Sequence, residues 1–222
     1  MVACEKNCRN GFTVKEPVSA LTHFIGIVYS ALLSPFLMSR AFYRNADTVT
    51  LVSLAVFLIS MVLLYTASTV YHTVSCCPML FKKLDHSMIF VLIAGTYTPV
   101  CLIALRNGMG PKLLAFVWTF ALAGIVFKLI WVTCPKWVSS VIYVSMGWSC
   151  IAAMPAIVGA LSAPALFFLV TGGVIYTIGG IIYAMKLSAF NTRNPLFGSH
   201  EIFHLFVMAG NLCHFVSVWM MI

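Results

Sequence analysis

The sequence predicts an all-α membrane protein, a bundle of seven transmembrane helices with its N-terminus in the cytoplasm and its C-terminus outside. Three observations carry this reading. The 222 residues are 62% hydrophobic and 8% charged, with a mean hydropathy of +1.02, whereas soluble domains hold about 45–50% apolar and 25% charged residues. Seven apolar runs reach the roughly 20 residues that a hydrocarbon core requires. Lysine and arginine divide unequally between the two sides that those runs define.

The runs fall at roughly 18–40, 48–73, 86–105, 112–133, 137–158, 164–185 and 201–222. The first follows Glu16 and Pro17, and proline suits the first helical position. The second ends at His72, and the third starts with Asp85 and His86 after a short basic loop, Lys82-Lys83-Leu84. The fourth opens near Lys112, and the sixth holds the pairs Gly172-Gly173 and Gly179-Gly180. Pro35, Pro99 and Pro155 also lie inside runs. Spanning helices tolerate these residues where neighbours re-satisfy the backbone or pack closely, so no run is expected to split. The seventh carries SHEIFHLFVMAGNLCHF, a histidine-rich stretch in an apolar run.

Residues 1–17 read as a basic cytoplasmic arm without a signal-type apolar run, and residues 18–222 as one transmembrane domain. No repeat, low-complexity tract or heptad is visible, and no stretch would fold as a soluble domain. The expected cytoplasmic side holds Lys6, Arg9, Lys15, Lys82, Lys83, Lys128, Lys136, Lys186 and Arg193. The other side holds Arg40, Arg44, Arg106 and Lys112. The net charge of +8 then implies anchoring on an anionic membrane face. Nucleic acid is not an expected partner, because no soluble basic surface interleaved with aromatics exists to bind it. Cys4, Cys8, Cys76, Cys77 and Cys134 are expected to be free thiols on a reducing side, with Cys4-x-x-x-Cys8 a weak metal or lipidation pattern. Cys101, Cys150 and Cys213 read as small buried hydrophobes.

Ionisable groups inside a membrane are costly and by default mark a function. Here His23, His72, Asp85, His86, His200, Glu201 and His204 gather at one end of the runs, while Asn211 and His214 lie deeper on the polar face of the seventh. Ser68-x-x-x-His72 and His200-x-x-x-His204 are i, i+4 pairs, and Glu16, Ser19 and His23 share a face over two turns. Three histidines with a serine one turn away and an aspartate on the next helix match a catalytic zinc site that keeps an open position. The same stretch contains HExxH, in which Glu201 would be the general base of a zinc protease. This protease reading stands second to the membrane site.

The blocks EPVSALTHFIGIVYSALL, LLYTASTVYH, LDHSMIFVLIAGTYTPV and HEIFHLFVMAGNLCHF, in this order, resemble the hemolysin III family over nearly the whole chain. That family is the mostly bacterial branch of the progestin and adipoQ receptors, more distantly related to alkaline ceramidases. The resemblance implies a zinc ion near the cytoplasmic face of the plasma membrane, held by His72, His200 and His204, with Asp85 and Ser68 beside its water. Glu16, Ser19 and His23 form the family's first motif, and Glu201 falls at a variable position. The chemistry expected of such a site is hydrolysis of a lipid amide or ester, with Asp85 as general base and Ser68 as hydrogen-bond donor. Membrane lipids are the expected substrate or ligand. Two other classes are a zinc-clamped receptor or sensor without catalysis, and a membrane-permeabilising hemolysin. The last would need a polar stripe, which the fourth to sixth runs lack.

Overall fold

A computed structural model describes residues 14–185, 187–194 and 196–222. Most of the basic arm lies outside the described residues, including Cys4, Lys6, Cys8 and Arg9, as does Lys186. In chain order the helices are α1 (Pro17–Tyr43), α2 (Thr48–Thr73), α3 (Pro78–Pro99), α4 (Gly110–Ile130), α5 (Lys136–Gly147), α6 (Met154–Ala160), α7 (Ala163–Met185), α8 (Ser188–Arg193) and α9 (Ser199–Trp219). No strand occurs among the described residues. Seven helical stretches are long and apolar enough to cross a membrane: α1, α2, α3 continued to Ala104, α4, the stretch Lys136–Ala160, α7 and α9.

Local chemistry sets the helix starts. Pro17 and Pro78 stand in the first turns of α1 and α3, where the missing N–H costs nothing. Asp47 caps α2: its Oδ1 accepts the Thr50 N–H at 3.0 Å, and Oδ2 pairs with Arg106. Hydrogen bonds from Thr50, then the Arg106 guanidinium, hold this exposed carboxyl down at about 2.

Two expectations are corrected here. The third helix begins at Pro78, eight residues before the run expected at 86, so Lys82, Lys83, Asp85 and His86 lie within α3 instead of on a loop and a helix start. Long lysine stems can lie along apolar surface with the charge at the rim, so the lysines do not end the helix. Two spans are also interrupted. After Pro99 the chain makes a π-type turn, Val100–Ala104. The fifth span breaks into α5, a 3₁₀ stretch Trp148–Ala153, and α6, because Pro155 cannot donate to the ladder and its ring crowds the carbonyl four residues back. Tyr97 of α3 repairs the break. Its hydroxyl donates to Gly147 O at 2.6 Å and accepts the Cys150 N–H at 2.9 Å.

Cysteine chemistry needs one correction too. Cys76, Cys101, Cys134, Cys150 and Cys213 are free thiols, whereas Cys77 is disulfide-bonded. Spacing along the chain cannot report the spatial proximity that a disulfide needs.

Packing places the site. One apolar cluster joins α1, α2, α3 and α9 around Phe57, Met61, Tyr65 and Phe215. A second, around Phe90, Val117 and Met146, joins α3, α4 and the fifth span. Helix α9 crosses α7 at small residues. A Cβ on Gly172 would sit 2.9 Å from the His214 ring, and one on Gly210 would sit 2.7 Å from the Tyr176 ring. The outer faces stay apolar, with Leu21, Phe24, Leu32 and Phe36 exposed on α1. The chain is a multi-pass integral membrane protein, since surfaces of this kind need lipid rather than water around them.

Candidate metal centre

The first residues of α1, the last turn of α2 and the first turns of α3 and α9 meet at one end of the bundle. Strand-like contact begins the arrangement: the Glu16 N–H donates to His72 O at 2.9 Å. The Glu16 carboxylate then reaches back to His72 Nδ1 at 2.5 Å. The His72 hydrogen bond holds the half-buried Glu16 carboxyl down at about 2, against the opposing effect of burial. An ionised carboxylate can only accept, so the proton between the two groups belongs to His72 Nδ1.

The same reasoning assigns His204. Thr22 Oγ1 gives its proton to Ser19 O at 2.8 Å and lies 3.0 Å from His204 Nδ1. Its hydroxyl therefore accepts, and His204 carries hydrogen on Nδ1. Both rings are left with an Nε2 lone pair. His200 Nε2 stands 3.2 Å from His72 Nε2, and His200 Nδ1 is buried without a partner. One ligand nitrogen from each of His72, His200 and His204 lies within 4.8 Å of the others.

This donor set fits a divalent metal. Three imidazoles converge, and two have the far nitrogen pinned by an acceptor, the pattern that orients metal-binding histidines. A cation among the three nitrogens would also relieve lone pairs held close together. Three nitrogens leave a fourth tetrahedral position open.

Other expected site residues distribute around this core. Asp85 and Ser68 lie on the wall of one cavity with His200 and His204. Ser68 Oγ is buried beside the Asp85 carboxyl. Ser19 donates to Glu201 Oε1, and Glu201 Oε2 accepts the Gly198 N–H at 2.8 Å, closing the start of α9. Glu201 is thus held as a helix cap by groups away from the histidine nitrogens. His23 stacks on His204 with ring centroids 3.6 Å apart. Asn211 is not brought to the cluster: it donates to the Tyr65 hydroxyl at 3.0 Å, and that hydroxyl pairs with Tyr29. His214 packs deeper, against Tyr176.

Thr22 is the site residue that spacing alone misses. It follows Ser19 by one turn, and its only signal is that it shares the α1 face that meets α9. Helix α8 adds a further brace, since Asn191 Oδ1 accepts the Ser199 N–H at 2.8 Å.

Below the histidines the cavity runs down the bundle to Met154, Ile157 and Leu169, with walls that are overwhelmingly apolar.

Known proteins share the sequence of this chain over most of its length. The family described as Haemolysin-III related matches residues 12–215. The chain is 38% identical to the Hemolysin-3 homolog of Bacillus subtilis (strain 168) over 211 residues, which cover 93% of this chain and 94% of that protein. It is 37% identical to Hemolysin-3 of Bacillus cereus over 217 residues, covering 96% and 95% respectively. A more distant likeness, 26% over 165 residues, reaches the human Monocyte to macrophage differentiation factor and covers 70% of this chain and 64% of that one. With the family matched from end to end of the helical bundle, the chain belongs to the hemolysin III family.

Proposed function

We propose that this protein is a zinc-dependent membrane hydrolase that cleaves an amide or ester of a lipid, its metal held by His72, His200 and His204. The observation that carries the reading is that the histidine cluster opens onto a long apolar cavity with a carboxylate and a hydroxyl on its wall. A bound zinc supplies Lewis acidity, polarising a carbonyl and lowering the pKa of a water toward ~7. Asp85 takes a proton from the attacking water as general base. Ser68, whose buried hydroxyl lies beside the Asp85 carboxyl, donates to the oxygen that gains charge. Glu16 and Thr22 hold the His72 and His204 rings in the orientation the metal needs. The apolar walls receive the hydrocarbon of the substrate and exclude water.

A sensor reading has its own support. The cluster ties α2 to α9 and, through Glu16 and Thr22, to α1, so a metal there would also clamp three helices. The two readings separate on activity, since a clamp needs the histidines but not Asp85.

The test is metal analysis of purified protein combined with lipidomics of membranes that hold wild type or a variant. About one zinc per chain is expected, with most of it lost in His72→Ala, His200→Ala or His204→Ala. Asp85→Asn should keep zinc and lose about 10²- to 10⁴-fold in hydrolysis, as replacement of a general base does. Glu201→Gln should change activity by less than about tenfold on the same scale. Full metal in all three histidine variants ends the zinc assignment. A dead Glu201→Gln beside a working Asp85→Asn moves the protein to the protease-like mechanism.

A further inference from the structure

We infer that the deep half of the cavity gauges the length of a hydrocarbon chain, and that Gly147 and Gly173 set where it stops. The inference rests on the lipid reading of the site and names the specificity of that same cavity. From Asp85 to Val100 on α3, both on its wall, the helix rises about 22 Å at ~1.5 Å per residue. One leaflet of a hydrocarbon core is about 15 Å, half of ~30 Å. A lipid chain of ordinary length therefore fits lengthwise.

The deep wall offers a ligand little but hydrocarbon. Several of its polar groups are committed within the protein: Tyr97 to the broken fifth span, Trp148 Nε1 to Thr177 Oγ1 at 2.9 Å, and Thr96 Oγ1 to Leu92 O at 2.9 Å. Tyr176 Oη and His214 Nδ1 have no accessible surface.

Glycines decide how wide this half is. Gly173, Thr177 and Gly180 follow one another at i, i+4 and i+7, so they share a face of α7, and Thr177 shows that the face looks at the fifth span. At Gly180 the two helices touch, since a Cβ there would meet Val144 Cγ2 at 3.3 Å. At Gly173, and at Gly147 across the gap, a Cβ would meet nothing within 4 Å, and both residues line the cavity. The 3₁₀ stretch of the fifth span starts directly after Gly147. Counted along α7 and α9, Gly173 lies about 10 Å deeper than His204 at ~1.5 Å per residue. A large side chain at either glycine would thus enter the cavity about midway, its Cβ meeting no neighbour within 4 Å.

The test uses purified, zinc-loaded protein in detergent and two free fatty acids, octanoic and oleic, with binding read by native mass spectrometry. Wild type should bind oleic acid more tightly, because each buried methylene adds about fourfold in affinity. Gly173→Phe should weaken oleic acid by at least about a hundredfold and leave octanoic acid within about threefold, on the same methylene scale. Gly147→Leu should likewise weaken oleic acid and spare octanoic acid, and it carries the test if Gly173→Phe does not fold. Zinc content should be unchanged in both variants. Equal loss of the two acids would mean that the glycines guard an entrance and would overturn the gauge, as would oleic acid binding at wild-type strength. If wild type binds neither acid, the lipid reading itself falls, and the gauge with it.

Discussion

At the level of single residues, tautomers organise the centre. His72 and His204 each place hydrogen on Nδ1 because Glu16 and Thr22 accept there, which leaves Nε2 of both rings for a metal. Loss of such an outer acceptor typically costs about 10- to 100-fold in metal affinity. Glu16→Ala and Thr22→Val are therefore expected to bind zinc more weakly by that factor while retaining the fold, as read by competition with a chelator of known affinity. Wild-type affinity in both variants would show that the rings are oriented by packing alone. The histidine pair and Asp85 are legible in the sequence because ionisable groups in an apolar run stand out. Thr22 is not, since threonine is common in spanning helices and its contact exists only once α1 crosses α9. Lys128 is misleading in the opposite sense. It reads as a charge at a membrane face, yet it is fully buried, donating to Ser139 Oγ at 2.5 Å and Cys134 Sγ at 3.1 Å. Glu201 has the spacing of a base in HExxH, and its oxygens accept from Ser19 and from the Gly198 N–H at the start of α9, contacts that the spacing does not report.

At the level of elements, number and approximate extent of the spans follow from hydropathy, while their interruptions follow from partners that hydropathy does not see. Pro155 removes a donor from the fifth span, but the span can break only because Tyr97, 53 residues away, takes up the Cys150 N–H and the Gly147 carbonyl. Removing that hydroxyl takes a partner from the Cys150 N–H and leaves the Gly147 carbonyl only the Cys150 thiol at 3.7 Å, and a backbone group left unpaired costs about 1–3 kcal/mol where it is buried. Tyr97→Phe should accordingly lower the Tm in detergent while the histidine cluster keeps its zinc. An unchanged Tm would mean that water or a shifted ladder satisfies the break. The cap of α2 makes a prediction about pH. The Asp47 carboxyl is held at about 2 in the folded protein, below its ordinary value near ~4. Between those values the unfolded chain binds the proton and the folded one does not, so stability rises with pH there. The contribution of Asp47 is complete above about pH 4 and is lost as the pH falls through about 2. The Tm difference between wild type and Asp47→Ala should shrink across that fall. A difference independent of pH would assign the cap to its geometry rather than its charge.

At the level of the whole molecule, the distribution of charge and the position of the centre together predict which side of the membrane the chemistry serves. Counted from the sequence alone, nine basic residues fall on the side expected for the N-terminus and four on the other, and short cytoplasmic loops carry such an excess. Seven spans then put the termini on opposite sides. The start of α1, the end of α2 and the starts of α3 and α9 all lie on the N-terminal side. The charge count therefore predicts that the histidine cluster faces the cytoplasm, and under the proposed hydrolase reading a substrate would then arrive from the inner leaflet. A phosphatase reporter active only outside the cytoplasm should be silent when fused before Met1 and active after Ile222, and a fluorescent reporter that matures only inside should give the reverse. Adding lysines to the Arg106–Lys112 connection works against this arrangement and should lower the fraction of chains with the C-terminus outside. Both termini on one side would contradict the odd number of spans. An inverted but consistent result would keep the fold and move the metal centre to the outer face, where the zinc supply and the accessible lipids differ.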